Sequence, residues 1–137
     1  MKLLMFNVKE FGYKTFSKTL EDVKEIEKEE TIEDAVVVFA NVEKEDEEKT
    51  GRIIRKTVKN ITWLAGKTGR NRIVLHSFAH LSDSKSSQEC ALEVLKTIEE
   101  RLENRGYEVF VTPFGYFLEF KLNVLGESLA KVWKALS

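Results

Sequence analysis

The sequence contains very few of the residues from which disulfides, Cys/His metal sites and Pro-rich linkers are built. Its 137 residues include one cysteine, Cys90, one proline, Pro113, and two histidines, His76 and His80. One cysteine excludes an internal disulfide and a cysteine-based zinc cluster, so we expect no metal and no cofactor. The sequence contains no run of 18 apolar residues that could cross a membrane, and no secretory signal is present. We therefore expect one cytoplasmic domain with no membrane partner.

The overall composition is that of a globular chain with a hydrophobic core. Hydrophobic residues make up 42% of the sequence and charged residues 33%, a balance that excludes an intrinsically disordered protein. The common catalytic and nucleotide-binding motifs are absent, including GxGxxG, the P-loop, HExxH and GxSxG. Function must therefore be sought in less common patterns.

The net charge of −1 conceals an uneven distribution of charge along the chain. Residues 21–34 hold eight acids and two lysines, whereas residues 49–72 hold eight basic residues and no acid. A basic block of this kind could contact phosphates, with Arg52, Arg55 and Lys56 as candidate RNA-binding residues. It could equally be a solvated helix face, and the charge pattern alone does not decide between the two.

The hydrophobic periodicity predicts six strands and three helices. The predicted strands cover residues 2–8, 11–16, 35–42, 72–79, 107–112 and 116–124, and the first two are expected to form a hairpin. The acidic stretch 21–34 is expected to be irregular or to form a short helix. The predicted helices are a basic one that ends at Gly66, one from a capping box at Ser86–Glu89 to Gly106, and one over 126–137. This order predicts a single α/β domain in which a mixed sheet packs with helices.

The segment RIVLHSFAHLS contains the residue that most suggests a site. His80 follows the end of a predicted strand, where ligand sites gather in open α/β sheets. His76 lies within that strand and is interpreted as a hydrogen-bonded sheet histidine, and Cys90 lies on an apolar helical face that belongs to the core. In a second strand–turn–strand segment, TPFGYF, Gly115 would let a ligand approach the backbone closely.

Two segments together resemble a known family. SFAHLS (77–82) and PFGYF (113–117) are similar to the two characteristic segments of the N-terminal editing domain of archaeal threonyl-tRNA synthetases. VFANVEK (38–44), ENRGYEV and GESLAKV fall into the same ungapped register. The resemblance implies a fold shared with D-aminoacyl-tRNA deacylase, and a homodimer. It also implies that residues 1–137 form the N-terminal part of a longer synthetase with catalytic and anticodon-binding domains.

The resemblance implies an editing reaction. The substrate would be the 3′ end of threonine tRNA wrongly esterified with L-serine, which the domain would hydrolyse. Serine lacks only one methyl group of threonine, and one methyl changes binding by roughly 1–3 kcal/mol, too little for accurate selection in one step. In the family, water attacks the ester with help from the terminal 2′-hydroxyl of the tRNA, in a pocket lined largely by backbone that excludes threonine.

The family pattern carries over to particular positions of this sequence. His80 would orient the adenosine or a water molecule rather than act as the general base. The residues implied to bind the substrate are Val42, Ser77, Phe78, Ala79, His80, Phe114, Gly115, Tyr116, Phe117 and Leu118.

At three of the family's positions this sequence differs. Leu118 replaces a lysine, Lys131 replaces a glutamate and Phe117 replaces a tyrosine. Backbone and tRNA could suffice for catalysis, or Lys131, on the last predicted helix, could face Leu118 and act as the catalytic ammonium. Alternatively, activity is lost and an RNA-binding or dimerisation module remains. A dimer could form through an exposed strand at 2–8. A free-standing D-aminoacyl-tRNA deacylase is a further alternative, although its Ser-Gln-x-Thr and Asn-x-Gly-Pro-x-Thr motifs are absent.

Overall fold

The computed structural model describes all 137 residues and contains six strands and two α-helices. In chain order the elements are β1 (Lys2–Lys18), β2 (Glu29–Asn41), α1 (Thr50–Thr68), β3 (Arg72–Ser77), α2 (Gln88–Asn104), β4 (Glu108–Val111), β5 (Tyr116–Val124) and β6 (Lys131–Ala135). Two short 3₁₀ segments lie at Lys44–Glu48 and Ser128–Ala130. Neither helix is long and apolar enough to span a bilayer.

All six strands form one mixed sheet in which β1 is the central element. The strand order is β4-β3-β2-β1-β5, and β6 also pairs with β1. β2, β3 and β4 are parallel to one another, whereas β1 runs antiparallel to its three partners. One side of β1 pairs with β2, and the other side pairs first with β6 along Lys2–Phe6 and then with β5 along Val8–Lys18. The predicted single mixed sheet is confirmed.

The sheet is strongly curled, as one aromatic contact shows. Phe39 lies opposite Leu4 of β1, and Phe120 lies opposite Tyr13. Leu4 and Tyr13 are about nine positions apart, or about 30 Å along a straight strand. The rings of Phe39 and Phe120 nevertheless meet edge to face, with centroids 5.5 Å apart. Register shifts near the two ends of the β1–β5 ladder, between Val8 and Glu10 and between Thr15 and Ser17, accompany this bend, which folds β5 back over the sheet.

Both faces of the sheet are buried along the second half of β2, from Ala35 to Asn41. Val36 and Val38 point toward the two helices, whereas Val37 and Phe39 point into the curl formed by β1 and β5. This explains why β2 reads as a continuous apolar run rather than an alternating one. Each fully buried valine of this run stabilises the fold by roughly 1.5–3 kcal/mol. The helices supply the other half of the first core through residues such as Ile61, which has no exposed surface.

The connection between β4 and β5 crosses the end of the curled sheet. These two strands lie at opposite ends of the strand order, about 19 Å apart if the sheet were flat. The chain from Val111 to Tyr116 spans at most about 18 Å when fully extended. The short connection is therefore possible only because the sheet curls, and 113–115 is a crossing segment rather than the turn of a hairpin.

Two expectations for the first 34 residues are wrong. Residues 2–8 and 11–16 are not a hairpin but one strand, β1, and residues 29–34 are not irregular or helical but the start of β2. The two segments pair with each other, and Lys14 lies opposite Glu29, which places unlike charges side by side. Segment 2–8 is also not an exposed edge, since it has a strand on each side.

The expected helix over 126–137 is also wrong. After the 3₁₀ segment, residues 131–135 form β6. Val132 lies opposite Met5 and packs toward the helices, whereas Trp133 lies opposite Leu4 on the other face. The segment KVWKA fits a strand as well as a helix, and the available edge of β1 decides between them.

The remaining elements follow the sequence with small shifts at their ends. α1 continues past Gly66 and ends at Gly69, whose φ of 69° is left-handed. Ser87 caps α2 by accepting a hydrogen bond from the backbone N–H of Cys90, so the cap lies one residue later than the expected capping box. The strands predicted over 35–42, 72–79, 107–112 and 116–124 are confirmed.

Candidate active site

A cavity of about 450 Å³ lies where the parallel strands end at their carboxyl termini. Its walls are the ends of β2 and β3, the start of α2, the crossing segment 113–115 and the start of β5. Thr19 and Leu20, from the segment that connects β1 with β2, close one side. The crossing segment and the curl of the sheet thus create a pocket that a flat sheet would lack.

The structure brings all of the predicted substrate-binding residues into this one cavity. Two segments that are far apart in the sequence form facing parts of its wall because β3 ends where the crossing segment begins its passage to β5. The residues concerned are Val42, Ser77, Phe78, Ala79, His80, Phe114, Gly115, Tyr116, Phe117 and Leu118. Their position is observed, and their roles stay predictions.

Asn41 fixes the loop that carries His80, and sequence reasoning missed it. Its side chain is fully buried at the end of β2. The amide oxygen accepts a hydrogen bond from Leu81 N at 3.0 Å, and the amide nitrogen donates to Ser84 O at 3.2 Å and to Val42 O at 3.3 Å. A buried amide with these partners satisfies its own polar groups and those of the loop. The polar residue within the apolar run VFANV is the signal that could have revealed it.

A buried cluster of charges holds the same loop from its other end. Glu43 lies next to the amino group of Met1 at 2.6 Å and the ammonium of Lys2 at 3.0 Å. It also accepts a hydrogen bond from Ser82 Oγ at 2.7 Å. Burial would raise the pKa of Glu43, but the hydrogen bonds from the Met1 amino group, Ser82 and Lys2 outweigh it and lower the pKa to about 2. Glu43 is therefore ionised at neutral pH and anchors Ser82, two residues beyond His80.

The two histidines differ in their surroundings. His76 is buried in β3, its Nδ1 lies 2.9 Å from Thr112 Oγ1, and burial lowers its pKa to about 4. This confirms the sheet histidine that the sequence predicted, although its ring also reaches the cavity wall. His80 is exposed at the cavity, with its ring edge-on to Phe78 at 4.9 Å. The His80 ring forms no hydrogen bond with another side chain of the protein, so its two nitrogens are available to a ligand.

Gly115 is required for a different reason from the one expected. Its φ of 84° is left-handed, and an added Cβ would lie 3.0 Å from Leu20 Cδ1 and 3.1 Å from Val23 Cγ1. The close neighbour of this glycine is therefore the segment after β1. The backbone N–H of Thr19 donates to Gly115 O at 2.7 Å and joins that segment to the crossing segment.

Tyr116 strengthens the same junction. Its hydroxyl donates to the carbonyl of Lys24 and accepts a hydrogen bond from Ile26 N at 2.8 Å. Tyr116 therefore lines the cavity and also holds the segment between β1 and β2 against β5.

The structure does not support Lys131 as a substitute for the family's lysine at position 118. Lys131 lies on β6 opposite Phe6, and its ammonium donates to Leu125 O at 3.0 Å. Leu118 lies on β5 opposite Thr15 and packs into the apolar curl of the sheet. Lys131 is not part of the cavity lining. The expected pairing was wrong because it assumed a last helix that is in fact a strand.

The basic segment forms a separate surface on α1. Arg52 and Arg55 are exposed near its N-terminus and take part in no ion pair, and neither lines the cavity. Lys56 is partly buried and donates to Ser137 O at 2.6 Å. Further along, Trp63 is 44% exposed, and the ammonium of Lys134 lies 5.8 Å from the centre of its ring. The outer face of α1 thus presents cations and one accessible aromatic ring.

Cys90 belongs to the core side of α2, as the sequence predicted. It is partly buried and packs against the core between helices and sheet. Burial raises the pKa of its thiol, and the nearby carboxylates of Glu47, Glu93 and Asp46 raise it further. A thiol with a raised pKa is a poor nucleophile.

The arrangement of strands identifies the fold. The structure superposes on a solved structure described as c-Myc DNA Unwinding Element Binding Protein with a TM-score of 0.66. The match covers 100% of this chain and 99% of the other at 14% sequence identity, so it shows a shared fold only. The predicted fold class, a single α/β domain in which a mixed sheet packs with helices, is confirmed.

The family follows from the sequence match. Residues 1–136 match the Archaea-specific editing domain of threonyl-tRNA synthetase, and the chain belongs to that family. It is 35% identical to a threonine–tRNA ligase of Thermococcus sibiricus over 99% of this chain, and 37% identical to one of Methanopyrus kandleri over 100%. A ligase of Methanosphaera stadtmanae is 36% identical over 100%. The chain spans only 22–23% of the length of these relatives. The predicted resemblance to this family is confirmed.

Burial of neutral His76 makes the stability of the domain depend on pH. Its pKa falls from 6.5 to about 4 on folding, so the unfolded chain takes up the proton first as the pH decreases. The free energy of unfolding should therefore fall by about 2 kcal/mol from this group between pH 7 and pH 5.

Urea unfolding at the two pH values measures this loss. The matched control is His76→Gln, which keeps a polar side chain near Thr112 and has no titrating ring. The variant should lack that part of the pH dependence. An identical pH dependence in both proteins would show that His76 is not the responsible group.

Proposed function

We propose that this cavity hydrolyses the ester that joins L-serine to threonine tRNA. The observation that carries the proposal is that the two family segments, 77–82 and 113–117, meet in one cavity at the ends of the parallel strands. Membership of the editing-domain family supports an aminoacyl-tRNA deacylase rather than another hydrolase. Its place in the cell would be the cytoplasm, where translation occurs.

The lining of the cavity favours a reaction in which the tRNA itself assists. No aspartate or glutamate lines it, and the buried His76 is already hydrogen-bonded to Thr112. A water molecule would attack the carbonyl carbon, the bond to the ribose oxygen would break, and that oxygen would leave as a hydroxyl. The neighbouring 2′-hydroxyl of the terminal ribose would help to position or deprotonate the water.

The protein would contribute position and a dry, preorganised pocket. The loop around His80 is held by Asn41 and by Glu43 through Ser82, so the pocket wall has little freedom to move. Backbone amides held in this way can stabilise the oxyanion that forms during attack without reorganising. A rigid wall also suits discrimination by size, because an extra methyl group on the substrate is rejected only if the wall does not yield.

The replacement of the family's lysine by Leu118 is accommodated without an evident substitute. Leu118 packs among the apolar residues of the curl, and Lys131 is engaged elsewhere. This supports the interpretation in which backbone and tRNA carry the reaction and the side chain at position 118 only tunes it. A non-catalytic RNA-binding or dimerisation module and a D-aminoacyl-tRNA deacylase are the competing outcomes of the test below.

The domain would act within a larger assembly. Its relatives are four to five times as long, which supports a chain that continues into synthetase catalytic and anticodon-binding domains. A homodimer is proposed by analogy with the family.

Deacylation of threonine tRNA tests the proposed reaction directly. The tRNA is charged separately with L-serine, L-threonine and D-serine, with and without the terminal 2′-hydroxyl. We expect L-serine to be released at least about tenfold faster than L-threonine, since one methyl group separates them. Removing the 2′-hydroxyl should abolish the release.

Leu118→Lys, which restores the family residue, is the informative variant. A rate within a few-fold of the original would show that this side chain tunes the reaction. Intact tRNA binding without hydrolysis of any ester would leave a binding module. Preferential release of D-serine would favour the D-aminoacyl-tRNA deacylase instead.

The outer face of α1 is proposed to contact the tRNA backbone through Arg52, Arg55 and Lys56. We expect the double replacement Arg52→Ala with Arg55→Ala to weaken tRNA binding and to lower the slope of log affinity against log salt by about 1–2. Lys56 is left in place because it also holds Ser137. Filter binding at several salt concentrations measures both quantities.

The matched control removes two exposed lysines of another surface, Lys9→Ala with Lys14→Ala. It changes the net charge equally and should leave the salt slope near its original value. Equal effects of the two double variants would mean that net charge alone attracts the tRNA.

A further inference from the structure

Lys85 is the single charged side chain in the lining of the cavity. The lining otherwise consists of apolar and neutral polar residues with the two histidines. The side chain of Lys85 is exposed, and its ammonium takes part in no ion pair and no hydrogen bond within the protein. A cation that faces a cavity without a partner is available to a ligand.

The backbone on both sides of Lys85 is fixed. Ser84 O accepts a hydrogen bond from the buried amide of Asn41 at 3.2 Å, and Ser86 N donates to Val42 O at 3.0 Å. The α-carbon of Lys85 is therefore held at the cavity, and only its side chain must be ordered when a ligand binds. This lowers the entropic cost of contact.

The carboxylates of Glu45 and Glu47 form no ion pair with the ammonium of Lys85. Glu45 accepts a hydrogen bond from Ser84 Oγ at 3.0 Å, and Glu47 accepts one from Ser87 N at 2.8 Å. Both carboxylates are thus engaged by neutral donors of the same loop. They order the segment around Lys85 and leave its positive charge directed to solvent and the cavity.

The position of Lys85 separates it from the place of the chemistry. It lies on the loop before α2, next to Ser86 and Gln88 at the same wall, and its side chain is exposed at the mouth. Residues of the two family segments, such as Ala79 and Phe114, belong to other parts of the wall. An exposed ammonium at a cavity mouth suits the negatively charged part of a substrate better than the ester itself.

We propose that Lys85 binds the phosphate on the 5′ side of the terminal nucleoside of the RNA. This inference rests on the proposed function, since it takes the substrate to be an aminoacylated RNA 3′ end. Lys85 would then be a positioning residue. Its contact with the phosphate fixes how deeply the nucleoside enters, and thereby places the ester in the pocket.

Kinetics with two substrates test this role in the 137-residue chain. One substrate is seryl-tRNA, and the other is 3′-O-seryl-adenosine, which has the nucleoside and the ester but no phosphate. We expect Lys85→Ala to raise KM for seryl-tRNA by about tenfold with kcat little changed, as for loss of one charge-assisted contact. The same variant should hydrolyse seryl-adenosine as well as the original chain does, and Lys85→Arg should retain most of the affinity for seryl-tRNA.

Lys44→Ala, which removes a neighbouring exposed lysine outside the cavity lining, is the control. It should leave KM and kcat unchanged for both substrates.

Two kinetic outcomes would overturn the inference. An equal fall of kcat on both substrates would place Lys85 at the ester, as a replacement for the family's lysine. Unchanged KM values for both substrates would show that Lys85 binds nothing in the reaction.

Binding of nucleotides separates this inference from the proposed function. In NMR titrations the original chain should bind adenosine 5′-monophosphate several-fold more tightly than adenosine, and Lys85→Ala should lose this preference. Failure of the original chain to cleave either ester would refute the proposed reaction alone. Equal affinity of the original chain for adenosine 5′-monophosphate and adenosine would refute the role of Lys85, whether or not the chain is active.

Discussion

The pairing of β1 on both of its sides is the constraint on which the rest of the structure depends. β2 occupies one side, and β6 and β5 share the other. The bend of β1 brings β5 over the sheet, so that Phe120 meets Phe39 and a buried face forms without further helices. The same bend lets a short segment pass from β4 to β5 across the ends of the parallel strands. The cavity is thus a consequence of how one long strand bends.

Internal hydrogen bonds and low charge characterise the site that results. Asn41 and the ionised Glu43 hold the loop after β3, and the lining combines apolar side chains with neutral polar ones and contains no carboxylate. A wall held in this way suits size discrimination, because a stiff pocket rejects a substrate with one more methyl group, and a yielding pocket admits it. A single free cation, Lys85, lies at the mouth, where the charged part of an RNA would pass.

The sequence was most informative where local pattern and tertiary structure agree. The apolar run of β2, the capped start of α2 and the two family segments could all be read directly from the sequence, and the two segments predicted the cavity wall. Predictions from the sequence were wrong where the secondary structure of a segment depends on pairing with a strand that is distant in the sequence. KVWKA fits a helix or a strand, and only the free side of Lys2–Phe6 makes it β6, which also removes Lys131 from the place assumed for it. The hydrogen bonds of Asn41 and the position of Lys85 at the cavity could not be predicted, because the topology of the sheet decides which segments meet there.

The central claim is that this cavity receives an aminoacylated nucleoside. A crystal structure of the 137-residue chain with a non-hydrolysable amide analogue of 3′-seryl-adenosine tests it most directly. The account predicts the seryl group between Ala79 and Phe114, with the adenosine directed toward the mouth at Lys85. An analogue bound on another surface, or one whose adenosine alone is ordered while the seryl group lies outside the cavity, would contradict it.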